Sequence, residues 1–400
     1  MEVLHISFSR SGGAGQVAVT LNKALQELGH KSTLKTMSDV NLWESPLAHP
    51  LLSLIAAIDR FVVQSALSPT LFSALRAKIS SSRLERAVIT STAQIIHLHW
   101  VSGILSRESI LRIQQSGKKI VWTFHDTAPF TGGCHQNFEC VGFQAHCRDC
   151  PQVKPFFRGI PTKNLQASMA SRLGDTGTIY VAPSKWLAEK AARSSLLSKS
   201  NIEVVPNPVR EEFYTEASNG GQDPFLNGLH NLAVLVTNDL TDPNKNVKQI
   251  VERVLNFNGP TNKRLNLLLV GRGGDDFHSP SRGVYNLGVK NNAELAEIMR
   301  NVKINLMVSS AESFSLTTAE ALASGSFPIV RRGTAAAELI QEGITGSSFD
   351  SYEELLDNWI KIAETTPVHK TNRPQLLAEQ FRPINVAKQY LRLYGALIGQ

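Results

Sequence analysis

Two glutamates lie eight residues apart in the second half of the chain, at Glu312 and Glu320. Glu312 follows an apolar, strand-like run at 302–308, and Glu320 lies one turn inside an Ala-rich helical segment. A strand that turns into a helix presents unpaired backbone N–H groups, and the helix dipole favours negative charge there. A diphosphate fits that turn, with one carboxylate on a ribose diol and the other facing a group beyond the phosphates. The pattern suits a nucleotide-sugar, and an exposed acidic pair at the start of an ordinary helix is the alternative.

The same stretch resembles the E-x7-E signature of retaining family-4 glycosyltransferases, which have the GT-B fold. Members of that family usually have Glu-Gly-Phe-Gly-Leu at the turn, and this chain has Glu-Ser-Phe-Ser-Leu, so Ser315 replaces a turn glycine. The resemblance implies that Glu312 contacts hydroxyls of the donor sugar and that Glu320 holds the ribose. It also implies that the backbone amides of Ser315, Leu316 and Thr317 bind the diphosphate.

A departing nucleoside diphosphate gains negative charge, so a cation has to meet it. The sequence has no Asp-x-Asp triplet, the metal-binding pattern of the other major glycosyltransferase fold, and no catalytic metal is therefore expected. The family pattern after the first strand of the second domain is Gly-Arg followed by Lys. Lys245 matches the lysine, but the stretch Val236-Thr237-Asn238-Asp239 replaces the Gly-Arg pair, and Arg272 is predicted to compensate. Ordinary surface cations are the alternative for both.

A glycine turn follows the first predicted strand, with Gly12, Gly13 and Gly15 before a helix expected to begin near Val17. Glycine allows positive φ and a close approach of a ligand to backbone amides. The turn matches neither a Walker loop nor a dinucleotide fingerprint. In the family that the chain resembles, a Gly-Gly-Ala loop here borders the donor phosphates, which makes Gly13 a predicted donor-binding residue.

A second polar site follows the strand at 120–124, where the chain runs directly into His125 and Asp126. Parallel α/β proteins place their chemistry at such strand ends. The string from His125 to Cys134 resembles the subgroup of the family that builds colanic acid and other surface polysaccharides. That resemblance implies that His125 touches the donor sugar and that Asp126 orients the sugar or the acceptor. The alternative is a buried histidine beside a turn-capping aspartate, and a structural role is favoured for His97 and His99.

All four cysteines fall within 17 positions, at Cys134, Cys140, Cys147 and Cys150. In a reducing compartment such clustering favours a structural Zn²⁺ site over disulfides, and free or regulatory thiols are the third alternative. Only the last two cysteines have standard ligand spacing, and His135 and His146 compete as ligands.

Apolar strand-like runs alternate with helical patterns along the chain, which is typical of parallel α/β units. The sequence predicts an α/β fold of two Rossmann-like, doubly wound domains. The resemblance to GT-B enzymes implies that they face each other across a cleft, where ligands lie beyond the carboxyl ends of the strands. Ten strands are predicted: Val3–Phe8, Ile95–His99, Ile120–Phe124, Thr178–Ala182, Ile202–Val205, Ala233–Thr237, Leu265–Val270, Val284–Leu287, Ile304–Val308 and Phe327–Val330.

The predicted domain boundary lies at two prolines, Pro206 and Pro208, which favour an extended linker. Residues 1–205 form the predicted N-terminal, acceptor-side domain, including the cysteine-containing loop 131–152. Residues 206–383 form the nucleotide-sugar-binding domain. In the family a terminal helix, here 384–400, crosses back to the first domain.

The composition, with 42% hydrophobic and 19% charged residues, is typical of a soluble globular protein. The chain shows neither an apolar run of the roughly 18 residues that a membrane span needs nor a signal peptide, so a cytoplasmic location is expected. Residues 1–205 carry 22 Lys and Arg against 13 Asp and Glu, and the remainder 19 against 21. The basic residues are scattered and match no nucleic-acid-binding motif, so a phosphate-bearing acceptor or an anionic lipid surface is the better explanation.

The segment 51–77 combines apolar residues with a basic flank, and it predicts peripheral contact with the inner face of the plasma membrane. Ordinary packing of a helix on the core is the alternative. The residues concerned are Ile55, Ile58, Phe61, Val62, Leu71, Phe72 and Leu75, followed by Arg76, Lys78, Arg83 and Arg86.

Together these patterns predict a retaining hexosyltransferase of surface polysaccharide biosynthesis. Its donor is expected to be a UDP-, GDP- or dTDP-sugar, and its acceptor a glycan or a polyprenyl-diphosphate-linked saccharide. A nucleotide-sugar epimerase of the same architecture and a non-catalytic nucleotide-sugar-binding protein are the alternatives.

Overall fold

The structure is a computed structural model that describes residues 1–39, 48–63, 72–171, 178–215, 226, 228–257, 264–365 and 373–399. The chain forms two compact units. The first contains Met1–Pro208 together with Pro383–Gln400, and the second contains Val209–Arg382. The predicted boundaries, after residue 205 and before residue 384, lie within three residues of these divisions.

Each unit contains one six-stranded sheet in which every strand pair is parallel. The first sheet has the order β2-β1-β3-β4-β5-β6 and the second the order β12-β11-β10-β7-β8-β9. The strands are β1 (Glu2–Ile6), β2 (Lys31–Lys35), β3 (Ile95–Leu98), β4 (Lys119–Thr123), β5 (Ile179–Ala182), β6 (Ile202–Val204), β7 (Leu232–Asp239), β8 (Asn266–Arg272), β9 (Val284–Asn286), β10 (Ile304–Met307), β11 (Phe327–Arg331) and β12 (Ser347–Phe349).

Helices pack on both faces of each sheet. The α-helices are α1 (Gly12–Glu27), α2 (Ala48–Val62), α3 (Ser82–Ile89), α4 (Arg107–Gln115), α5 (Gly159–Ala170), α6 (Lys185–Ala192), α7 (Val247–Leu255), α8 (Asn292–Asn301), α9 (Leu316–Ala323), α10 (Tyr352–Thr365), α11 (Arg373–Ala378) and α12 (Pro383–Ile398). None of the described helices is long and apolar enough to cross a bilayer.

Alternate side chains of each central strand enter opposite cores, because successive residues of a strand point to opposite faces. In the second unit Leu267 and Leu269 join the core under α7 and α10, whereas Leu268 joins the core under α8 and α9. In the first unit Ile120 packs towards α3 and α4, and Val121 packs towards α1 and α12. Both sheets are therefore covered on both sides, as continuous apolar strands require.

All ten predicted strands are present, with ends shifted by one or two residues at most positions. The prediction missed β2 and β12, which are edge strands with the polar sequences KSTLK and SSF. The prediction of a helix near Val17 was wrong about its start, because α1 begins at Gly12. The C-terminal helix, α12, packs on α1 within the first unit.

Candidate functional site

The strand order of the second unit identifies where a ligand site is expected. The chain runs outward from β7 through β8 to β9 and then returns to the other side of β7 as β10. Doubly wound sheets bind ligands outside the carboxyl ends of their strands at such a reversal point. The loops that follow β7 and β10 carry Lys245 and Glu312, respectively.

Lys245 and Glu312 form an ion pair at this edge, although 67 residues separate them in the sequence. Their Nζ and Oε1 atoms lie 2.6 Å apart, and both side chains are largely buried. Burial disfavours the ammonium, but the carboxylates of Glu312 and Asp242 outweigh it and raise the pKa of Lys245. Lys245 is therefore held charged beside a carboxylate, at the end of the sheet where the sequence predicted both.

Asparagine side chains fix the two loops to each other. The amide of Asn244 donates to the carbonyl of Ala311 at 3.1 Å, and the amide of Asn246 donates to the carbonyl of Val308 at 2.9 Å. Asn246 adopts φ 52°, a left-handed conformation that asparagine tolerates better than most residues. The geometry of the Lys245–Glu312 pair is thus set by hydrogen bonds between loops rather than by the ion pair alone.

Glu320 also has a cationic partner, Arg210, which the sequence analysis missed. Arg210 Nη2 lies 2.7 Å from Glu320 Oε1, and the two side chains are 16% and 6% exposed. Burial raises the pKa of Glu320, and the guanidinium of Arg210 opposes that shift. Arg210 is additionally hydrogen-bonded to Asn292 and lies over the ring of Phe213. The two partners are 110 residues apart, so no local spacing could have revealed them.

Ser315 immediately precedes α9 and has a strained conformation, with φ 75° and ψ 81°. This left-handed region costs a residue with a Cβ about 1–2 kcal/mol, which explains why a glycine suits this turn. The hydroxyl of Ser315 is hydrogen-bonded to Thr318 Oγ1 at 2.8 Å. Leu316 and Thr317 follow as the first, partly exposed residues of α9.

Two predicted donor-binding residues stand apart from these pairs. Arg272 is 75% exposed and pairs with Asp239 at 3.0 Å, so its contact is with the last residue of β7 rather than with Lys245 or Glu312. Gly13 is exposed in the first turn of α1. Close packing requires glycine at position 15, since a Cβ there would lie 2.4 Å from the carbonyl oxygen of Ser9.

In the first unit, four histidines form a row of rings along the carboxyl ends of β1, β3 and β4. His5 Nδ1 lies 3.1 Å from His99 Nε2, and His99 Nδ1 lies 3.1 Å from His125 Nε2. The ring of His97 stacks on that of His99 with 4.3 Å between centroids. We call His5, His97, His99 and His125 the histidine row.

Burial keeps the histidine row neutral. It lowers the pKa of His5 to about 3 and that of His125 to about 4, and it lowers the pKa of His97 and His99 well below the ordinary value. His97 has the structural role favoured by the sequence, since Tyr394 and Thr123 occupy its two ring nitrogens. His99 contacts His125 directly, and His5 was not anticipated.

Asp126 is buried beside His125, and its carboxylate accepts several hydrogen bonds. One carboxylate oxygen accepts the backbone N–H of Ala128 at 2.9 Å. The other accepts the indole N–H of Trp100 at 3.0 Å and lies 3.1 Å from His135 Nδ1. Burial disfavours the carboxylate, but His135 and these hydrogen bonds outweigh it and lower the pKa of Asp126. Asp126 and His125 line one surface depression together with His99 and Trp100.

The four cysteines line a second, smaller cavity of the first unit. All are free thiols, and all but Cys140 are buried. Burial raises the pKa of Cys134 and Cys147 to about 12.

Chemically, the two units offer different groups. The second offers a buried lysine and arginine, each beside a carboxylate, at the start of a helix, which suits a ligand carrying phosphates and hydroxyls. The first offers neutral imidazoles, which donate or accept hydrogen bonds without adding charge.

Two family models match the chain. The model of Glycosyltransferase Family 4 matches residues 11–213, and that of Glycosyl transferases group 1 matches residues 232–373. None of the curated proteins has a sequence that matches.

Several solved structures share the fold over the whole chain. HepE of Anabaena, in complex with UDP and glucose, is 13% identical, with a TM-score of 0.60 and coverage of 99% of this chain and 100% of HepE. Sucrose-phosphate synthase of Thermosynechococcus elongatus is 14% identical, with a TM-score of 0.65 and coverage of 100% and 99%. The catalytic domain of Arabidopsis thaliana starch synthase IV, bound to ADP and acarbose, is 15% identical, with a TM-score of 0.62 and the same coverage. These likenesses confirm the predicted GT-B class, with two Rossmann-like domains.

Proposed function

Because the chain belongs to Glycosyltransferase Family 4, we propose that it transfers a hexosyl group from a nucleotide-sugar to a saccharide acceptor, with retention of configuration. The observation that carries the proposal is the pair of largely buried acid–cation contacts, Lys245–Glu312 and Arg210–Glu320, at the reversal point of the second sheet. HepE and starch synthase IV, whose structures hold UDP and ADP, support a nucleotide-linked donor.

In this proposal each acid–cation pair handles one part of the donor. Glu320 accepts hydrogen bonds from the ribose while Arg210 keeps its carboxylate charged. The amides at the start of α9, from Ser315 to Thr317, meet the diphosphate at the positive end of the helix dipole. Lys245 turns from Glu312 towards the departing phosphate, and Glu312 then orients hydroxyls of the sugar. Arg272, which is exposed and paired with Asp239, is a secondary phosphate contact at most.

We propose same-face attack for the transfer step. The bond between the anomeric carbon and the phosphate oxygen breaks as the acceptor oxygen approaches from the same side. The leaving phosphate takes the proton of the acceptor hydroxyl, and Lys245 stabilises the charge that develops on the phosphate. His125 is neutral at physiological pH, so it serves as a hydrogen-bond partner of the sugar, and Asp126 orients the residues around it.

Donor binding tests the assignment. Thermal shift with UDP-, GDP- and dTDP-sugars identifies the base, and calorimetry then compares Glu320→Ala with the parent protein. Loss of a hydrogen bond to a charged group is expected to weaken the dissociation constant about 10- to 100-fold. Glu297→Ala, an exposed position on α8, is the matched control. An unchanged dissociation constant in Glu320→Ala refutes the role assigned to Glu320.

The acceptor is proposed from the resemblance of the stretch from His125 to Cys134 to enzymes of surface polysaccharide biosynthesis. A glycan or polyprenyl-diphosphate-linked saccharide is the expected class. Incubating a radiolabelled donor with a lipid extract and with soluble glycans, followed by chromatography, distinguishes the two. Conversion of the donor sugar without any acceptor would indicate an epimerase instead.

A non-catalytic sugar-nucleotide-binding protein is the second candidate. The absence of the Gly-Arg pair, where this chain has Val236-Thr237-Asn238-Asp239, favours it, and so does Ser315 in place of glycine, since both changes lie on the phosphate side of the proposed site. Donor binding without transfer to any acceptor class would support that candidate.

We also propose that the first unit contacts an anionic membrane surface through α2. Leu54, Ile58 and Phe61 are 56%, 40% and 63% exposed, and their spacing places them on one side of the helix. The ring of Phe61 packs against Phe157, and the ammonium of Lys154 lies 3.9 Å from its centroid. This exposed apolar surface with a basic neighbour suits a headgroup region.

Other residues of the predicted membrane segment have different surroundings. Val62 and Phe72 are buried in the core, as the packing alternative expected. Leu71 lies outside the described residues. The membrane proposal therefore rests on the exposed residues of α2.

Cosedimentation with phosphatidylglycerol vesicles tests membrane contact. Phe61→Asp is expected to reduce binding, and added salt is expected to reduce it further. Val289→Asp changes an equally exposed apolar residue of the second unit and serves as the control. Equal binding by both variants would refute the proposal.

A further inference from the structure

We propose that Cys134, Cys140, Cys147 and Cys150 bind one Zn²⁺ ion, which crosslinks the segment 134–150 that follows β4 in the chain. The inference is independent of the proposed transfer reaction, because it concerns only side chains of the first unit. It selects one of the three alternatives that the sequence left open for these cysteines.

The first argument is that the four cysteines lie around one cavity. All four cysteines line the same small cavity, together with Gly132, Phe143 and Pro161. Between Cys134 and Cys150 the regular structure is limited to a three-residue 3₁₀ turn, Gly142–Gln144. A segment with so few internal hydrogen bonds gains more from a metal crosslink than a helix or a strand does.

The second argument is the close approach of two of the cysteines at Gly142. A Cβ at this position would lie 3.5 Å from the sulfur of Cys140 and 3.5 Å from the Cα of Cys147. A residue without a side chain therefore lets the chain bring Cys140 next to Cys147.

The structure also decides between cysteine and histidine ligands. His135 uses both ring nitrogens elsewhere, since Nδ1 lies 3.1 Å from Asp126 and Nε2 lies 2.9 Å from Ser73 Oγ. His146 is exposed and does not line the cavity. Four sulfur ligands therefore fit better than three sulfurs and one nitrogen, and four thiolates are a common structural zinc set.

A rival metal site has to be weighed. Among the described residues, His5, His97 and His99 form the one group of three whose ligand atoms all lie within 4.8 Å of one another. The ring nitrogens of His97 and His99 are engaged in hydrogen bonds, whereas His5 Nε2 is buried without a partner. A metal there has to break those bonds. No three of the cysteine sulfurs that the structure describes lie within 4.8 Å of one another, so zinc bound to them has to draw the sulfurs inward across the cavity, to about 2.3 Å from the ion.

The metal has a structural consequence close to Asp126. The hydroxyl of Thr127 donates to the carbonyl of Cys134 at 2.8 Å, and the amide of Thr127 donates to the carbonyl of His135 at 3.0 Å. Fixing Cys134 therefore fixes His135, which contacts the carboxylate of Asp126. The ion is therefore expected to keep His135 and Asp126 in position beside the surface depression that His125 lines.

The experiment measures metal in the full chain purified without added zinc. Mass spectrometry is expected to find about one zinc per chain. After chelation, added Co²⁺ is expected to give the thiolate charge-transfer bands and visible absorption of a tetrahedral site. Cys147→Ser and Cys150→Ser are expected to lose the metal, and His146→Ala, an exposed neighbour, is expected to retain it.

A count of reactive thiols distinguishes a zinc site from free thiols and from disulfides, and it does not depend on variants that fold. All four thiols should resist an alkylating reagent before chelation and react after it. Hydrogen exchange of segment 134–150 should accelerate when zinc is removed. Three results would each overturn the proposal. They are absence of metal, fewer than four reactive thiols in the metal-free chain, and zinc that is lost in His5→Gln but kept in Cys150→Ser.

Discussion

The carboxyl ends of the two sheets differ in their side chains: one end has paired charged residues, and the other has neutral histidines. In the second unit, Lys245 and Arg210 are each held next to a glutamate in largely buried ion pairs. In the first unit, the histidine row is buried beside the carboxylate of Asp126, but burial outweighs that charge and the rings are neutral. In the proposed transfer, the charged groups of the second unit meet the leaving group, and the neutral rings of the first unit meet sugar hydroxyls. The two should respond to different perturbations, the first to loss of a charge and the second to pH.

The largest expected effect is on stability, from Arg210→Ala. Removing one partner of a buried ion pair leaves an uncompensated carboxylate, which typically costs about 3–5 kcal/mol. Denaturant unfolding should show this loss, and Glu320→Gln in the same chain should recover part of it because it removes the stranded charge. If Arg210→Ala is as stable as the parent protein, the second unit does not depend on charge pairing in the way that we describe.

The next effect is on turnover. Lys245→Ala is expected to lower kcat about 10²- to 10³-fold, as removal of a donor that stabilises transition-state charge does. Lys248→Ala, which changes an exposed residue in the first turn of α7, is the control. A Lys245→Ala variant with unchanged kcat and a raised KM would mean that the lysine binds the donor but does not stabilise the departing phosphate.

The histidine row predicts a pH dependence of stability. Its histidines have pKa values below the ordinary 6.5, so the unfolded chain binds protons that the native chain does not. Their stabilisation is complete above about pH 6.5 and falls as the pH drops towards 4, by about 1.4 kcal/mol per pH unit for each histidine. Unfolding followed at several pH values should show this slope, and His5→Gln should reduce it. A flat profile between pH 6.5 and 4 would contradict buried, neutral rings.

The smallest effect concerns Ser315. Ser315→Gly removes the strain of a positive φ and is expected to stabilise the protein by about 1 kcal/mol, less any loss of the hydrogen bond to Thr318. The melting temperature is the measurement, and donor affinity is expected to change little. Destabilisation would show that the hydroxyl contributes more than the strain costs.

Most of the fold was predictable because the central strands of parallel sheets are continuous apolar runs. The edge strands β2 and β12 were not, since strands with one open side need no such run and their polar sequences resemble loops. The helix start at Gly12 was missed because glycine is a poor signal for a helix interior.

In the site, Lys245, Glu312 and Glu320 were found because each lies in a short motif with fixed spacing. Arg210 and His5 were missed because their contacts join residues 110 and 94 positions apart. Local spacing does not encode such contacts. The His5 contact forms only when β1 pairs with β3, and the Arg210 contact forms only when the start of the second unit packs beside α9. The roles assigned to the predicted residues remain predictions for the experiments above.

The position of α12 has a consequence for how the protein is made. Its phenols, Tyr394 and Tyr390, reach His97 and Thr123 inside the first unit, yet they leave the ribosome only after all of Val209–Arg382 has been synthesised. At about 5–20 residues per second, the 174 residues of Val209–Arg382 take roughly 9–35 seconds to synthesise, and during that time the first unit lacks α12. Translation should therefore yield a finished second unit before a finished first one, and shortening the chain before Pro383 should expose buried imidazoles to water.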